Sequence, residues 1–179
     1  MSEPQPSGRF EVRLVQADDV DALHALVVAN REHLTPWEPL RDESFYTLDH
    51  QASVVRGQLE RHARGQEHPF VMALDGHLVG RITLSNVVRG PFQSANLGYW
   101  VDAGHQGQGL ATRALGRVVE VARDEVGLHR IEAGTLLHNV SSQVVLRRCG
   151  FEQYGMAPAY LKLAGRWQDH ALFQRLLHD

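Results

Sequence analysis

The feature that most constrains the fold is a glycine-rich turn between an apolar strand and an amphipathic helix. Residues 95–101 have the composition of a strand, and glycines follow at positions 104, 107 and 109. Glycines at the start of a helix let backbone N–H groups converge, and with the helix dipole they form a site suited to phosphate or pyrophosphate. Composition alone is explained equally well by an ordinary tight turn. The buried helix face is predicted from apolar residues at helical spacing: Leu110, Ala114, Leu115, Val118 and Ala122.

The remaining segments predict an α+β domain with a mostly antiparallel, twisted sheet of about seven strands, flanked by about four helices. Two turns, Asp75-Gly76 and Ala164-Gly165, each join a pair of strands into a hairpin. A polar segment with two prolines, residues 1–8, is predicted to be a flexible tail, and residues 9–179 a single domain. The other predicted elements are strands at 10–15 and 130–136, a helix capped by Asp18 or Asp19 with Val20, Leu23, Val27 and Leu34 on its apolar face, and helices at 50–64 and 139–148.

Charge and composition exclude several classes of protein. The formal net charge is −3, which argues against a general nucleic-acid or membrane binder, since that class needs a basic surface; a local basic patch stays open. The longest apolar runs have about five residues, against the roughly 20 that a membrane span requires, so the default location is the cytoplasm. The 11 histidines lack paired metal-ligand spacing and are expected to be scattered on the surface, with no metal bound. The one cysteine, Cys149, excludes an intramolecular disulfide and is expected in the core rather than as a nucleophile.

Two motifs carry a resemblance to a known family. Residues Gln106-Gly107-Gln108-Gly109-Leu110-Ala111 resemble the Gln/Arg-x-x-Gly-x-Gly/Ala signature of the GNAT N-acetyltransferases, whose amides hold the pyrophosphate of coenzyme A. Downstream, the segment from Asn139 to Phe151 resembles the Asn-x-x-Ser helix of that family, which ends in Gly-Phe. Two motifs about 30 residues apart, each in the expected context, are more specific than either alone.

Other segments are similar to the RimJ/RimL branch, and the RimJ side is nearer. They include Leu34-Thr35-Pro36-Trp37-Glu38-Pro39 and Gly165-Arg166-Trp167-Gln168-Asp169-His170. This branch acetylates the N-terminal amine of ribosomal proteins, and RimJ acts on an N-terminal alanine. The resemblance implies an α/β/α GNAT fold whose sheet is splayed at the cofactor-binding strand. It also implies acetyl-CoA as co-substrate, no metal, and direct attack of the acceptor amine on acetyl-CoA in a ternary complex.

The resemblance also implies which residues form the site. The pantetheine arm is expected along the backbone of Tyr99, Trp100 and Val101 like an extra strand, while the Tyr99 and Trp100 side chains are ordinary strand residues. Asn139 contacts the cofactor arm and also caps its helix, and Ser142 donates a proton to the leaving thiolate. Many family members place a tyrosine acid where this chain has Leu146. The full predicted cofactor-binding set is Tyr99, Trp100, Val101, Gln106, Gly107, Gln108, Gly109, Leu110, Ala111, Asn139 and Ser142.

The general base is left open by the sequence. An α-amine of pKa near 7.8 is roughly a quarter neutral at pH 7.4, whereas a lysine is only about 0.1% neutral, so a weak base favours an α-amine acceptor. A clustered acidic segment, Glu38, Asp42 and Glu43, could also attract a basic chain N-terminus. The candidates for the base are an ordered water, Glu38, Asp42, Glu43, Asp102, His105 and Asp169.

Two other functions remain open at this stage. One is an acyltransferase for a small amine, such as an antibiotic or metabolite, with acetyl or another acyl group. The other is a binding module that keeps the coenzyme A cradle without turnover. The strand edges and the region around Trp37 could serve a homodimer, and no direct nucleic-acid or membrane contact is expected.

Overall fold

The structure is a computed structural model that describes residues 8–178, so the predicted tail at 1–8 falls outside it except for Gly8. Within residues 8–178, seven strands form one sheet in the order β1-β2-β3-β4-β5-β7-β6, and every neighbouring pair is antiparallel except β4 and β5. This confirms the predicted fold class. The strands are β1 (Phe10–Leu14), β2 (His68–Leu74), β3 (His77–Val88), β4 (Ser94–Val101), β5 (Arg130–Leu136), β6 (Glu152–Leu163) and β7 (Arg166–Leu176).

Five α-helices cover the two faces of this sheet among the described residues. Helix α4 continues into a π-helical turn at Val121–Glu125. None of these helices is long and apolar enough to cross a membrane. The helices are α1 (Val20–Ala29), α2 (Arg31–Leu34), α3 (Leu48–Ala63), α4 (Leu110–Glu120) and α5 (Val140–Arg148).

The prediction of a single helix that carries both Val20 and Leu34 is wrong, because the chain bends at Asn30. Asn30 is buried, and its backbone leaves the helical region at φ −100° and ψ 9°. Its side-chain amide donates to the Leu26 carbonyl at 2.9 Å and to the Asp102 carboxylate at 2.6 Å. These bonds to the loop after β4 break the helix into α1 and α2, which accounts for one helix more than predicted.

Both predicted hairpins form, with turns that match their sequences. Asp75 and Gly76 have φ values of 50° and 83°, and Ala164 and Gly165 have 47° and 81°. Two consecutive positive φ values make the type I′ turn that the right-handed twist of a hairpin favours. The second hairpin matters for the site because the backbone N–H of Ala164 donates to the carbonyl of Glu38 at 2.9 Å.

The sheet splits between β4 and β5, as the resemblance implied. These strands pair only at Ser94–Arg130, Ala95–Ile131 and Asn96–Glu132. Beyond Asn96, β4 stays paired with β3 and β5 with β7, so the two central strands diverge while each keeps one partner. The edge of β4 from Gly98 to Val101 that faces β5 therefore has peptide groups with no strand opposite.

The larger hydrophobic core fills the sheet face covered by α4 and α5. It includes the α4 residues predicted to be buried, Leu110, Ala114, Leu115, Val118 and Ala122. A smaller cluster of Val15, Leu23, Val55 and Val71 lies beneath α1 and α3 on the opposite face. Burial of the apolar face of α4 fixes its N-terminus at the open end of the split, because the helix axis cannot move without exposing that face.

Candidate active site

A cleft of about 1030 Å³ opens where the free half of β4 meets the N-termini of α4 and α5 and the segment after α2. All the residues predicted to bind the cofactor line this cleft except Gln108. The structure thus brings together two motifs that are about 30 residues apart in the chain. The same cleft is lined by residues of the opposite sheet face: Trp37, Glu38, Gln58, Arg81 and Thr83.

The glycine loop presents its amides to the cleft. Gly107 and Gly109 have φ values of 73° and 71°, in the left-handed region that a side chain disfavours. In the described part of the chain, no hydrogen bond is found from the backbone N–H groups of residues 106–109, while the Gln106 side chain lies 3.0 Å from His33 Nε2. The first-turn amides of α4 have no intrahelical acceptor either, because the helix begins at Leu110. The loop is therefore a cradle of unpaired donors at the positive end of a helix dipole.

Asn30 and Asp102 hold this loop from behind. The Asn30 side-chain oxygen accepts from the Ala103 amide at 2.8 Å, while Asp102 accepts from His105 Nδ1 at 2.6 Å and from the Gly104 amide at 3.2 Å. Partial burial acts to raise the pKa of the Asp102 carboxyl, but the bonds from the Asn30 amide and the His105 ring together outweigh it, and the pKa is lowered. Asp102 thus orders the loop, which is a structural role that the sequence did not indicate.

Ser142 lies opposite the free edge of β4 and is held by Tyr99. The Tyr99 hydroxyl is 2.8 Å from Ser142 Oγ and 3.3 Å from the Ser142 carbonyl oxygen. Burial raises the pKa of Tyr99 to about 12, so the phenol stays protonated at neutral pH. A protonated phenol that donates to Ser142 Oγ leaves the serine proton available to a group in the cleft. The Tyr99 side chain packs against the core like an ordinary strand residue, and in addition its hydroxyl bonds to Ser142.

Asn139 is the N-cap of α5, as predicted from the sequence. Its side-chain oxygen accepts from the Ser142 amide at 3.2 Å and from Ser141 Oγ at 3.1 Å. The cap sets the first turn of α5 and with it the position of Ser142. Leu146, at the position where many family members carry a tyrosine, is fully buried in the core.

Only Glu38 and His105, of the candidate bases, line the cleft. The Glu38 side chain is 27% exposed, and its carboxylate lies 3.7 Å from Arg41 Nε. Burial raises the pKa of Glu38, against the opposing effect of Arg41 and Arg81. A carboxyl whose pKa is raised is a better proton acceptor near neutral pH than an ordinary surface glutamate.

The other carboxylates among the candidates are occupied elsewhere. Asp42 caps a short 3₁₀ helix at Glu43–Tyr46 and accepts from Ser44, and Glu43 pairs with Arg31. Asp169 accepts from the Ala159 amide at 2.8 Å within the second hairpin. His105 stands at the glycine loop, bonded to Asp102. Glu38 is therefore the acidic group that the fold directs at the cleft.

Two single-residue expectations have different outcomes. His170 is only 2% exposed, so the prediction that the histidines are scattered on the surface is wrong for this residue. Its Nδ1 donates to the Gln168 carbonyl at 3.0 Å, an interaction that compensates the burial of the ring. Cys149 is buried in the core as predicted; burial raises the pKa of its thiol, and it donates weakly to the Thr112 carbonyl at 3.5 Å.

Comparisons with known proteins agree with this geometry. Residues 9–152 match the acetyltransferase (GNAT) domain. The chain is 38% identical over 168 residues to the [ribosomal protein uS5]-alanine N-acetyltransferase of Escherichia coli (strain K12), covering 92% of this chain and 86% of that one.

Two solved structures superpose closely on the fold. One is ribosomal-protein-S5-alanine acetyltransferase from Vibrio fischeri, with a TM-score of 0.91, 30% identity and coverage of 97% of this chain and 98% of that one. The other is Mycobacterium smegmatis RimJ in complex with CoA-disulfide, with a TM-score of 0.91, 36% identity and coverage of 96% and 83%. These matches confirm the family that the two motifs indicated, and the chain therefore belongs to the GNAT acetyltransferases.

Proposed function

We propose that this protein transfers the acetyl group of acetyl-CoA to the N-terminal α-amine of a ribosomal protein, by direct attack within a ternary complex. The observation that carries the proposal is the meeting of three features in one cleft. An amide cradle at the start of α4, the unpaired edge of β4 and the Tyr99–Ser142 pair all line it. The Escherichia coli relative, a [ribosomal protein uS5]-alanine N-acetyltransferase, supports the choice of acceptor.

The residues present fit coenzyme A. The unpaired amides from Gly107 to Ala111 suit a pyrophosphate, because they combine several N–H donors with the positive end of α4. The free edge of β4 offers peptide groups to the amides of a pantetheine arm, as a neighbouring strand would. We infer that Asn139 and Ser142 contact the same arm from α5.

A few groups of this chain carry out the steps of acetyl transfer. Bound acetyl-CoA supplies a thioester, whose C–S bond breaks as the N–C bond to the acceptor forms. Backbone N–H groups of the split strand stabilise negative charge on the carbonyl oxygen. Ser142 Oγ–H gives its proton to the departing sulfur as the C–S bond breaks. Ser142 Oγ regains a proton from the Tyr99 hydroxyl 2.8 Å away, and Tyr99 is reprotonated from solvent.

Glu38 receives the proton that the amine loses. Its carboxylate lines the cleft from the sheet face opposite α4 and α5, so amine and cofactor approach the split from opposite sides. Because an α-amine is already partly neutral at pH 7.4, one carboxylate acting directly or through one water is sufficient. Cys149 takes no part, because it is buried in the core and outside the lining of the cleft.

The proposal includes a cytoplasmic location, where ribosomal proteins are made. A homodimer and the lack of direct nucleic-acid contact stay predictions from the sequence. The net charge of −3 is consistent with a partner recognised through its chain terminus rather than through phosphate groups.

Thiol release from acetyl-CoA tests the proposal directly. The purified protein is assayed with short peptides that begin with Ala or Ser, with the same peptides blocked at the N-terminus, and with a set of small amines. We expect thiol release only with peptides whose N-termini are free, and we expect mass spectrometry to place the acetyl group on the α-nitrogen. CoA alone should raise the melting temperature of the protein.

Three results would count against it in different ways. Turnover of small amines without turnover of peptides would overturn the protein acceptor. A CoA-induced shift with no acceptor at all would indicate a binding module. Absence of any shift with CoA would overturn the cradle itself.

A further inference from the structure

A second, smaller cavity of about 150 Å³ lies in the split between β4 and β5. It shares Trp37, Gly98, Tyr99, Asn139 and Ser142 with the large cleft, so the two spaces adjoin beside the Tyr99–Ser142 pair. In the proposed reaction, the chemical group attached to the acceptor amine would therefore lie in this smaller cavity.

The cavity is lined from both faces of the sheet. Thr135 pairs with Ala171, which belongs to the core beneath α4 and α5, so Thr135 faces that side. Leu136 pairs with His170, and both face the opposite side, where Trp37 and Leu163 complete the lining. A ligand that enters from the side of Glu38 thus reaches Ser142 through this gap.

Its size is restrictive. A cavity of about 150 Å³ holds a ligand of about six heavy atoms, such as benzene. The N, Cα, C, O and Cβ atoms of an amino-terminal alanine make five heavy atoms, and serine adds one. Leucine and phenylalanine exceed that volume, and the lining offers little room to expand because Leu97, Leu136, Leu146 and Leu163 are all buried.

The cavity also contains an unused polar group. Thr135 is 5% exposed, and its hydroxyl has no hydrogen-bond partner within residues 8–178. A buried hydroxyl without a partner costs free energy, and a ligand that bonds to it recovers that cost. Tyr99, Asn139, Ser142 and His170 also line the cavity, so its walls are partly polar and suit a small residue that carries a polar side-chain atom as well as alanine.

We infer that this cavity binds the first residue of the acceptor chain and restricts it to small side chains, with the Thr135 hydroxyl as its polar contact. The inference rests on the proposed function and adds the residues that select the acceptor. Leu163 and Leu136 limit the size of the side chain, and Thr135 favours serine among residues of the accepted size.

The test is a set of peptides that differ only in the first residue: Gly, Ala, Ser, Val, Leu and Phe. For the parent enzyme we expect kcat/KM for Leu and Phe to be at least about tenfold below that for Ala. Leu163→Ala enlarges the cavity and should reduce the difference in kcat/KM between Ala and the larger residues Leu and Phe. The matched control is Leu161→Ala, since Leu161 is on the same strand but 45% exposed and outside the cavity lining.

A second variant isolates the hydroxyl. Thr135→Val keeps the shape of the side chain and removes its oxygen, so the ratio of the Ser kcat/KM to the Ala kcat/KM should fall about fivefold. An unchanged ratio would overturn the role of Thr135.

Failure of the inference is distinguishable from failure of the proposed function. If the parent acetylates all six peptides with kcat/KM values within about threefold of one another, the size selection is wrong while the α-amine acceptor stands. If Leu163→Ala and Leu161→Ala have the same effect on the Ala-to-Leu ratio, the cavity is not the determinant. If no peptide is acetylated although CoA binds, the proposed function fails and the inference fails with it.

Discussion

The two sides of the split between β4 and β5 are built in different ways. The cofactor side, formed by the glycine loop, the start of α4 and the first turn of α5, comes from two continuous motifs. The proposed acceptor side, formed by Trp37, Glu38, Leu163 and His170, comes from segments far apart in the chain. A cofactor that is the same in every reaction can be held by local backbone geometry, whereas an acceptor is selected by side chains that tertiary packing brings together.

The substitution expected to have the largest effect on kcat, and to distinguish the acceptor side from the cofactor side, is Glu38→Gln. The change keeps the shape but removes the proton acceptor, so kcat at pH 7 should fall by about 10²-fold while the affinity for CoA stays the same. The loss should shrink toward pH 9, because the acceptor amine, with a pKa near 7.8, then arrives already neutral. Initial rates across this pH range, with CoA binding measured by calorimetry, check the prediction.

A control variant is Glu43→Gln, whose carboxylate pairs with Arg31 away from the cleft. If Glu43→Gln lowers kcat as much as Glu38→Gln, the effect is one of general charge and not of proton transfer. A pH-independent loss in Glu38→Gln would also contradict the assignment.

Ser142 and Tyr99 lie where the two sides meet, and their effects should be coupled. Ser142→Ala should lower kcat by about 30-fold, less than loss of the base, because a thiol of pKa near 8.5 is already a good leaving group. Tyr99→Phe should cost about five- to tenfold through the lost hydrogen bond to Ser142 Oγ. In the Ser142→Ala background, Tyr99→Phe should have almost no further effect on kcat, since it acts through the serine.

A double-mutant cycle on kcat measures this coupling. Additive effects would mean that Tyr99 supports the fold of the cleft and has no specific link to Ser142. Thermal unfolding of each variant, with and without CoA, separates that possibility from a change in catalysis.

Gly109→Ala should affect the cofactor side alone. An alanine at φ 71° is strained by about 1 kcal/mol, so the loop relaxes and CoA affinity falls about fivefold. The matched control is Gly116→Ala within α4, where an added Cβ meets no atom within 4 Å and helix propensity favours alanine. Equal CoA dissociation constants for the two variants would show that the left-handed turn is not needed for binding.

The smallest effect is expected from Cys149→Ala. The thiol is 8% exposed and belongs to the core, so its removal should lower the melting temperature slightly and change kcat/KM by less than about twofold. Loss of turnover in a variant that still unfolds cooperatively would instead support an acyl-cysteine intermediate and contradict direct attack.

Local patterns in the sequence were sufficient for most of the fold. The hairpins were predictable from Asp75-Gly76 and Ala164-Gly165 because these turns depend only on local backbone preferences. The helix at Leu110 followed from its apolar spacing and the preceding glycines. The break at Asn30 was not predictable, because it depends on bonds from Asn30 to residues more than 70 positions away.

The sequence by itself determined the cofactor side, since a glycine loop, a helix start and an N-cap are properties of neighbouring residues. Only the tertiary structure placed Glu38, of the acidic candidates, in the lining of the cleft, joined Tyr99 to Ser142 and enclosed Thr135 and His170 beside the split. The physical reason is that burial, proton affinity and cavity volume depend on which distant segments pack together, and local propensities contain no record of that.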